Sequence, residues 1–249
     1  MTRDWDAATY DRVSAPQVEW ALRVLERLPL RGDETVLDAG CGSGRVTQLL
    51  LERLPRGHVV AVDSAPSMVS HARRALDPDR TTVLQASLTE LVLDEPVDAA
   101  FSNAVFHWIE DHDALFTRLH AALRPGGRLV AQCGGKGNVE RFHRAERLVA
   151  SRDPYAEYLA DWRGPWRFAG AAETAERLER AGFEEVEAWL EPYPVTPGDP
   201  ISFVRVACLG PHLEQLPEDL RAPYVDAVWE RCGPELDYVR LNIEAKANA

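Results

Sequence analysis

The stretch Val36-Leu37-Asp38-Ala39-Gly40-Cys41-Gly42-Ser43-Gly44 constrains this chain more than any other. An apolar run ends in a carboxylate, three glycines follow at alternate positions, and a helical pattern begins at Arg45-Val46-Thr47-Gln48-Leu49. That order predicts a strand, a tight turn and a helix N-terminus. Glycine admits positive φ and lets a ligand approach where a Cβ would block it. The helix N-terminus offers N–H groups to polar or anionic ligand atoms. The spacing is G-x-G-x-G, and Arg45 stands where a dinucleotide fingerprint has its third glycine. A second apolar run, His58-Val59-Val60-Ala61-Val62-Asp63, ends in a carboxylate 19 residues after Gly44. A carboxylate at that strand end can accept hydrogen bonds from both hydroxyls of an adenosine ribose. Together the two segments point to a nucleotide-like cofactor lying against a sheet.

The 249 residues suffice for one α/β domain with a good core and room for an insert. A net charge of −12 disfavours nonspecific nucleic-acid binding, which needs a basic surface to displace counterions. No apolar run reaches the roughly 20 residues of a membrane span, and the start Met1-Thr2-Arg3-Asp4-Trp5-Asp6 lacks a signal-peptide core. A cytoplasmic chain with no membrane partner is expected. Cys41, Cys133, Cys208 and Cys232 are too scattered for a disulfide framework or a metal site.

An N-terminal helix is expected from Ser14, where Ser14 and Gln17 form a capping-box pattern and Val18, Ala21, Leu22 and Leu25 share a face. Strands are expected at 34–38, 58–63, 81–85, 97–103 and 128–133. Helices are expected at 45–54, after Ser64-Ala65-Pro66-Ser67 (Met68, Val69, Ala72 and Ala75 inward), and from an Asp111 or Asp113 cap to Leu123. Pro125-Gly126-Gly127 reads as a turn. Short apolar strands alternating with helices imply a parallel sheet covered on both faces. Further on, helices are expected at 139–152 and 171–181, and strands at 183–191 and 236–245. Between them, Tyr155, Tyr158 and Trp162 fall at i, i+3 and i+7. The helices after Pro200 read as an insertion before the last strand.

From Thr35 to Gln132 the chain resembles the class I methyltransferases that use S-adenosylmethionine. The resemblance rests on the glycine turn, Asp63, Gln85-Ala86-Ser87-Leu88, Phe101 to Ile109, and Leu123 to Leu129, in that order and at that spacing. Asn103 to Trp108, Asp111-His112, Leu123 to Gln132 and the opening Trp5-Asp6 with Tyr10 are similar to the trans-aconitate methyltransferase group, whose relatives methylate small carboxylic acids. The fold implied is α/β: a Rossmann-like doubly wound sheet, mostly parallel, with an antiparallel C-terminal strand. A helical cap (1–30), a cofactor core (31–133), a sheet completion with substrate-pocket insertions (134–235) and a final strand (236–249) would make one domain.

The resemblance implies S-adenosylmethionine as cofactor and a small-molecule methyl acceptor. Asp38 would lie near the cofactor ammonium, directly or through water. Gly40 and Gly42 would let its tail lie close, with Cys41, Ser43, Gly44 and Ser64 beside it. Asp63 would take the ribose, Met68 the adenine face, and Ala86, Ser87 and Leu88 the adenine edge; Ser87 stands where an acidic residue is usual. Asn103 and Ala104 would border the methyl group. His107 is the candidate general base, or a hydrogen-bonded wall residue. Tyr10, Gln17, Trp20, Trp108, Tyr158 and Trp162 are candidates for the acceptor side; the alternative is an N-terminus that packs nowhere for Tyr10, capping for Gln17, and packing for Trp108, Tyr158 and Trp162. O-methylation of a carboxylic acid is the leading expectation, because a carboxylate is ionised at neutral pH and needs no base. N- or C-methylation with His107 as base, a non-catalytic cofactor-binding regulator, and a nicotinamide-dependent oxidoreductase are the alternatives.

Overall fold

The computed structural model describes residues 15–248, with side chains from Trp20 onward. Tyr10, Trp5, Asp6 and the Ser14 cap lie outside the described residues, as does the side chain of Gln17. The elements run α1 (Ala15–Arg27), β1 (Thr35–Ala39), α2 (Arg45–Glu52), β2 (His58–Asp63), α3 (Pro66–Ala75), β3 (Thr81–Gln85), β4 (Val97–Asn103), α4 (His112–Ala122) and β5 (Leu123–Gly134). They continue through α5 (Glu140–Ala150), α6 (Ala156–Leu159), α7 (Ala171–Arg180), β6 (Phe183–Pro192), α8 (Pro200–Phe203), α9 (Gly210–Gln215), α10 (Glu218–Cys232) and β7 (Val239–Ala247). A 3₁₀ turn, Phe106–Trp108, follows β4, and a π turn, Val204–Cys208, follows α8.

The seven strands form one sheet in the order β3-β2-β1-β4-β5-β7-β6. β1 through β5 are parallel neighbours, and β7 runs antiparallel between β5 and β6. The strand order reverses between β1 and β4, so the chain leaves these two strands on opposite sides. That opens a crevice beyond their carboxyl ends, where open α/β sheets bind ligands. β1, β2 and β4 are apolar almost throughout because helices cover both faces.

Three details differ from the sequence expectations. The buried face of α1 is Trp20, Ala21, Val24, Leu25 and Leu28, while Leu22 is exposed. A helix turns 100° per residue, so the face centred between Val24 and Ala21 points Leu22 outward. In α3, Met68, Val69 and Ala72 are buried as expected, but Ala75 is exposed and Leu76 closes the core instead. The aromatic stripe is not a helix face: α6 has only four residues. Tyr158 is exposed, Tyr155 packs edge-on against Tyr224, and Trp162 packs against His212. Asp153-Pro154 precedes this segment, and Gly164-Pro165 follows it, which leaves little chain for helical propagation.

The Pro125-Gly126-Gly127 turn is drawn into β5. Regular pairing with β4 restarts at Arg128, and Gly126 has φ +79°. The helices between β6 and β7 have their own apolar core, in which Val204, Leu209, Leu213, Tyr224 and Val228 pack with Phe142 and Val149 of α5. This insertion roofs the carboxyl end of the sheet beside β5 and β7.

Candidate functional site

β1 ends at Ala39, and the chain turns at once through Gly40, whose φ is +91°. The Gly40 and Cys41 amides both donate to Val62 O of β2 (2.8 and 2.9 Å), which ties the turn to the neighbouring strand. A Cβ on Gly40 would collide with the Val105 side chain. A Cβ on Gly42 would meet open space, so the backbone there faces the crevice.

Asp63 ends β2 beside this turn. Its Oδ2 accepts from the Gly42 amide and its Oδ1 from the Ala65 amide, both at 2.9 Å. These bonds fix the plane of the carboxylate, and each oxygen retains further acceptor capacity. Burial raises its pKa, and the amides of Ala65, Gly42 and Ser64 hold it back.

Asp38 sits beneath the turn. Its Oδ2 accepts from Thr47 Oγ1 at 2.6 Å. Burial pushes its pKa up to about 7, opposed by the Thr47 bond and assisted by the negative Asp63.

The crevice is a partly open cleft. Its one side is Gly40, Gly42, Asp63, Ser64, Met68, Asn103 and Ala104. These seven are residues the sequence singled out for the cofactor, and they meet in space. Asp38, Cys41, Ser43, Gly44, Ala86, Ser87 and Leu88 do not line it. Cys41 is buried under the turn, and Leu88 is packed in the main core. Ser87 spends its hydroxyl on Thr89, at 2.8 Å from Oγ1. This side fits an adenosyl group on the observations above: an open backbone surface at Gly42 and a pre-aimed carboxylate at Asp63.

The opposite side is built from large side chains: Trp20 of α1, Trp108, Trp166, Phe168, His143 and Tyr238. Trp20 and Trp108 were candidates from sequence. Tyr158 and Trp162 do not line the cleft, because the short α6 turns them away from it. Trp108 lies 5.8 Å from Trp166 between ring centres, and His143 lies 5.2 Å from Trp166.

His107 also lines this side. The Gly134 amide donates to its Nδ1 at 3.2 Å. The neutral ring therefore carries its proton on Nε2. Burial, then the positive Arg240, then His112 hold its pKa well below the usual range. Burial first, opposed by Glu146, lowers His143 to about 4.

Arg240 went unsingled in the sequence. It stands on β7 opposite Gly134, is 2% exposed, and lines the cleft. Its guanidinium carbon lies 4.3 Å from the Trp20 ring centre, and its Nε donates to Gln132 Oε1 at 3.2 Å. Gln132 Nε2 donates to Asn242 Oδ1 at 2.9 Å, and Asn242 Nδ2 donates to Glu191 at 3.2 Å. Arg27 of α1 also donates to Asn242 Oδ1, at 2.7 Å. Arg240, Asn242 and Glu244 alternate along one face of β7, a pattern that in isolation reads as a solvated strand face. α1 covers that face, and the polar residues bond to one another under it.

Behind the aromatic wall, Glu146 accepts from Tyr224 Oη (2.9 Å) and pairs with His212 Nε2 (3.0 Å). His212 packs in turn on Trp162 and Trp166. This network props the wall. Among the described residues no group of three or more His, Cys, Asp or Glu could hold a metal ion, and no helix is long and apolar enough to cross a membrane.

Comparison with known proteins agrees with this geometry. Residues 36–127 match a family described as a methyltransferase domain. A trans-aconitate 2-methyltransferase of Methylobacterium nodulans is 37% identical over 75% of this chain and 67% of its own length. A trans-aconitate 2-methyltransferase of Variovorax paradoxus is 33% identical over 92% of this chain and 88% of its own. Among solved structures, the fold is similar to phosphoethanolamine N-methyltransferase 2 of Haemonchus contortus, in complex with phosphomonomethylethanolamine and S-adenosylhomocysteine. That likeness has a TM-score of 0.65 at 17% identity, over 98% of this chain and 57% of the other.

Proposed function

This chain belongs to the class I S-adenosylmethionine-dependent methyltransferases, and we propose that it methylates a carboxyl oxygen of a small acid held by Arg240. The buried guanidinium on the acceptor side of the cleft carries this reading. An arginine fork matches the two oxygens of a carboxylate and remains charged at any working pH. The trans-aconitate 2-methyltransferases among the relatives, named for an acid acceptor, point the same way.

When bound, S-adenosylmethionine supplies a sulfonium methyl: the carboxylate oxygen forms a C–O bond in line as the S–C bond breaks, its electron pair leaves on sulfur, and a neutral ester and thioether result. No proton moves, so no base is required. The protein's part is alignment and exclusion of water. Asp63 would hold the ribose and Met68 the adenine face. Asp38 would act on the ammonium from beneath the turn, since its carboxylate does not reach the cleft wall.

His107 is read here as an orienting donor instead of a base. Its Nδ1 is occupied by the Gly134 amide, and its Nε2 bears a proton. A ring in that state donates to an acceptor oxygen and cannot take a proton from an amine. This favours oxygen over nitrogen as the methylated atom.

The test is a methylation assay with a panel of small acids, phenols and amines, reading the product by mass and by mild alkaline hydrolysis. The expected product is a base-labile methyl ester. A base-stable N-methyl product would overturn the reading.

A further inference from the structure

We propose that the acceptor is a monocarboxylic acid with a flat aromatic or apolar body, in contrast to a polycarboxylate such as trans-aconitate. This rests on the carboxyl-methylation reading above and narrows its substrate class.

The composition of the acceptor wall carries it. Among the described residues that line the cleft, Arg240 is the one fixed cation, and it shares the lining with Trp20, Trp108, Trp166 and Phe168. Trp166 and Phe168 both reach the cleft from the loop between α6 and α7, and Trp108 faces them from the turn after β4. Phe168 stacks on His107 with ring centres 5.9 Å apart and planes 24° apart. Trp166, Phe168 and Trp108 are each only partly buried. All three border the space an acceptor would occupy. Aromatic rings receive apolar or aromatic groups and offer an anion no charge to pair with.

Among the described residues, one carboxylate finds a fixed cation, and a second would meet only neutral donors such as Asn138 and Tyr238 among the rings. The two lining histidines cannot supply the missing charge. His107 is locked neutral by the Gly134 amide, and burial keeps His143 uncharged near neutrality. An ion desolvated without a partner costs far more than apolar contacts return. The chain's net charge of −12 adds no long-range attraction for a polyanion.

The rings also supply a readout, because Trp20, Trp108 and Trp166 all border the cleft. Intrinsic tryptophan fluorescence of the full chain is titrated with phenylacetate, 3-phenylpropionate and trans-aconitate, with and without S-adenosylhomocysteine. The expected result is binding of an aryl acid at a Kd about 100-fold below that of trans-aconitate, corresponding to two factors of ten. Trp166→Ala is expected to weaken the aryl acid about tenfold while binding S-adenosylhomocysteine as the wild type does, which shows that the variant is folded. Trans-aconitate binding as tightly as the aryl acids, with Arg240→Gln abolishing both, would overturn this proposal and leave carboxyl methylation standing. Aryl acids that bind neither form of the wild type, while trans-aconitate binds, would overturn this proposal alone; acids of either kind that bind Arg240→Gln equally well would overturn both.

Discussion

On the side of the cleft made by β1, β2 and β4, the ligand surface is mostly backbone: a turn at Gly40 and Gly42, and a carboxylate fixed by two amides. On the side made by β7, the turn after β4 and the loop before α7, the surface is large side chains from well-separated segments. The first construction needs small residues at fixed spacing, and any volume change there is felt directly. The second needs only that rings and one arginine be brought together by tertiary packing. A cofactor site built the first way can stay the same while an acceptor site built the second way changes its specificity.

Separate failure of the two sides is the way to break this comparison. Asp63→Ala is expected to weaken S-adenosylhomocysteine on the order of 100-fold, since it removes charge-assisted hydrogen bonds worth about 1.5–3 kcal/mol each. Calorimetry reads the loss, and fluorescence binding of the acid to the unloaded protein should be unchanged. Asp63→Asn keeps the volume and should lose less.

On the other side, Gln132→Leu removes the acceptor that holds Arg240 Nε. It is expected to raise KM for the acid about tenfold, the value of one hydrogen bond to a charged group. The Kd of S-adenosylhomocysteine should not move. Equal losses in both quantities would show that the two sides are one mechanical unit.

The pH dependence is the smallest effect and belongs to the cofactor side. Burial raises Asp38 to about 7 in the unliganded protein. A ligand ammonium favours its ionised form, so affinity for S-adenosylhomocysteine should rise between pH 6 and pH 8, by about tenfold at most. Asp38→Asn should flatten that rise. The same shift has the opposite sense for folding. Below its unfolded value of 3.8 the raised pKa has no cost, and the unliganded fold loses stability as pH climbs from there through about 7.

The contrast between the two sides also sets what could be read from the chain. The cofactor side is contiguous: residues 36–44 and 58–63 announce strand, turn and carboxylate locally, and β2, β3 and β4 fall at their expected residues. Spacing alone does not separate residues facing the crevice from those under it, which is why Cys41 and Leu88 were expected at the ligand and lie in the core. The acceptor side is encoded by long-range contacts. Arg240 meets Gln132 across 108 residues of sequence, and its strand face is polar at alternate positions. Only the packing of α1 onto that face makes those residues internal. The aromatic stripe at Tyr155, Tyr158 and Trp162 carried helical spacing without a helix long enough to use it, and the rings that reach the cleft are Trp166 and Phe168.

The most direct measurement is a titration of phenylacetate into protein preloaded with S-adenosylhomocysteine, on wild type, Arg240→Lys and Arg240→Gln. Removing a buried partner of a charge costs about 3–5 kcal/mol, so the acid should bind Arg240→Gln about 10²–10³-fold more weakly, with Arg240→Lys between the two. S-adenosylhomocysteine should bind all three proteins alike, which shows that each is folded. Undiminished acid binding by Arg240→Gln would contradict the assignment of Arg240 as the acceptor anchor.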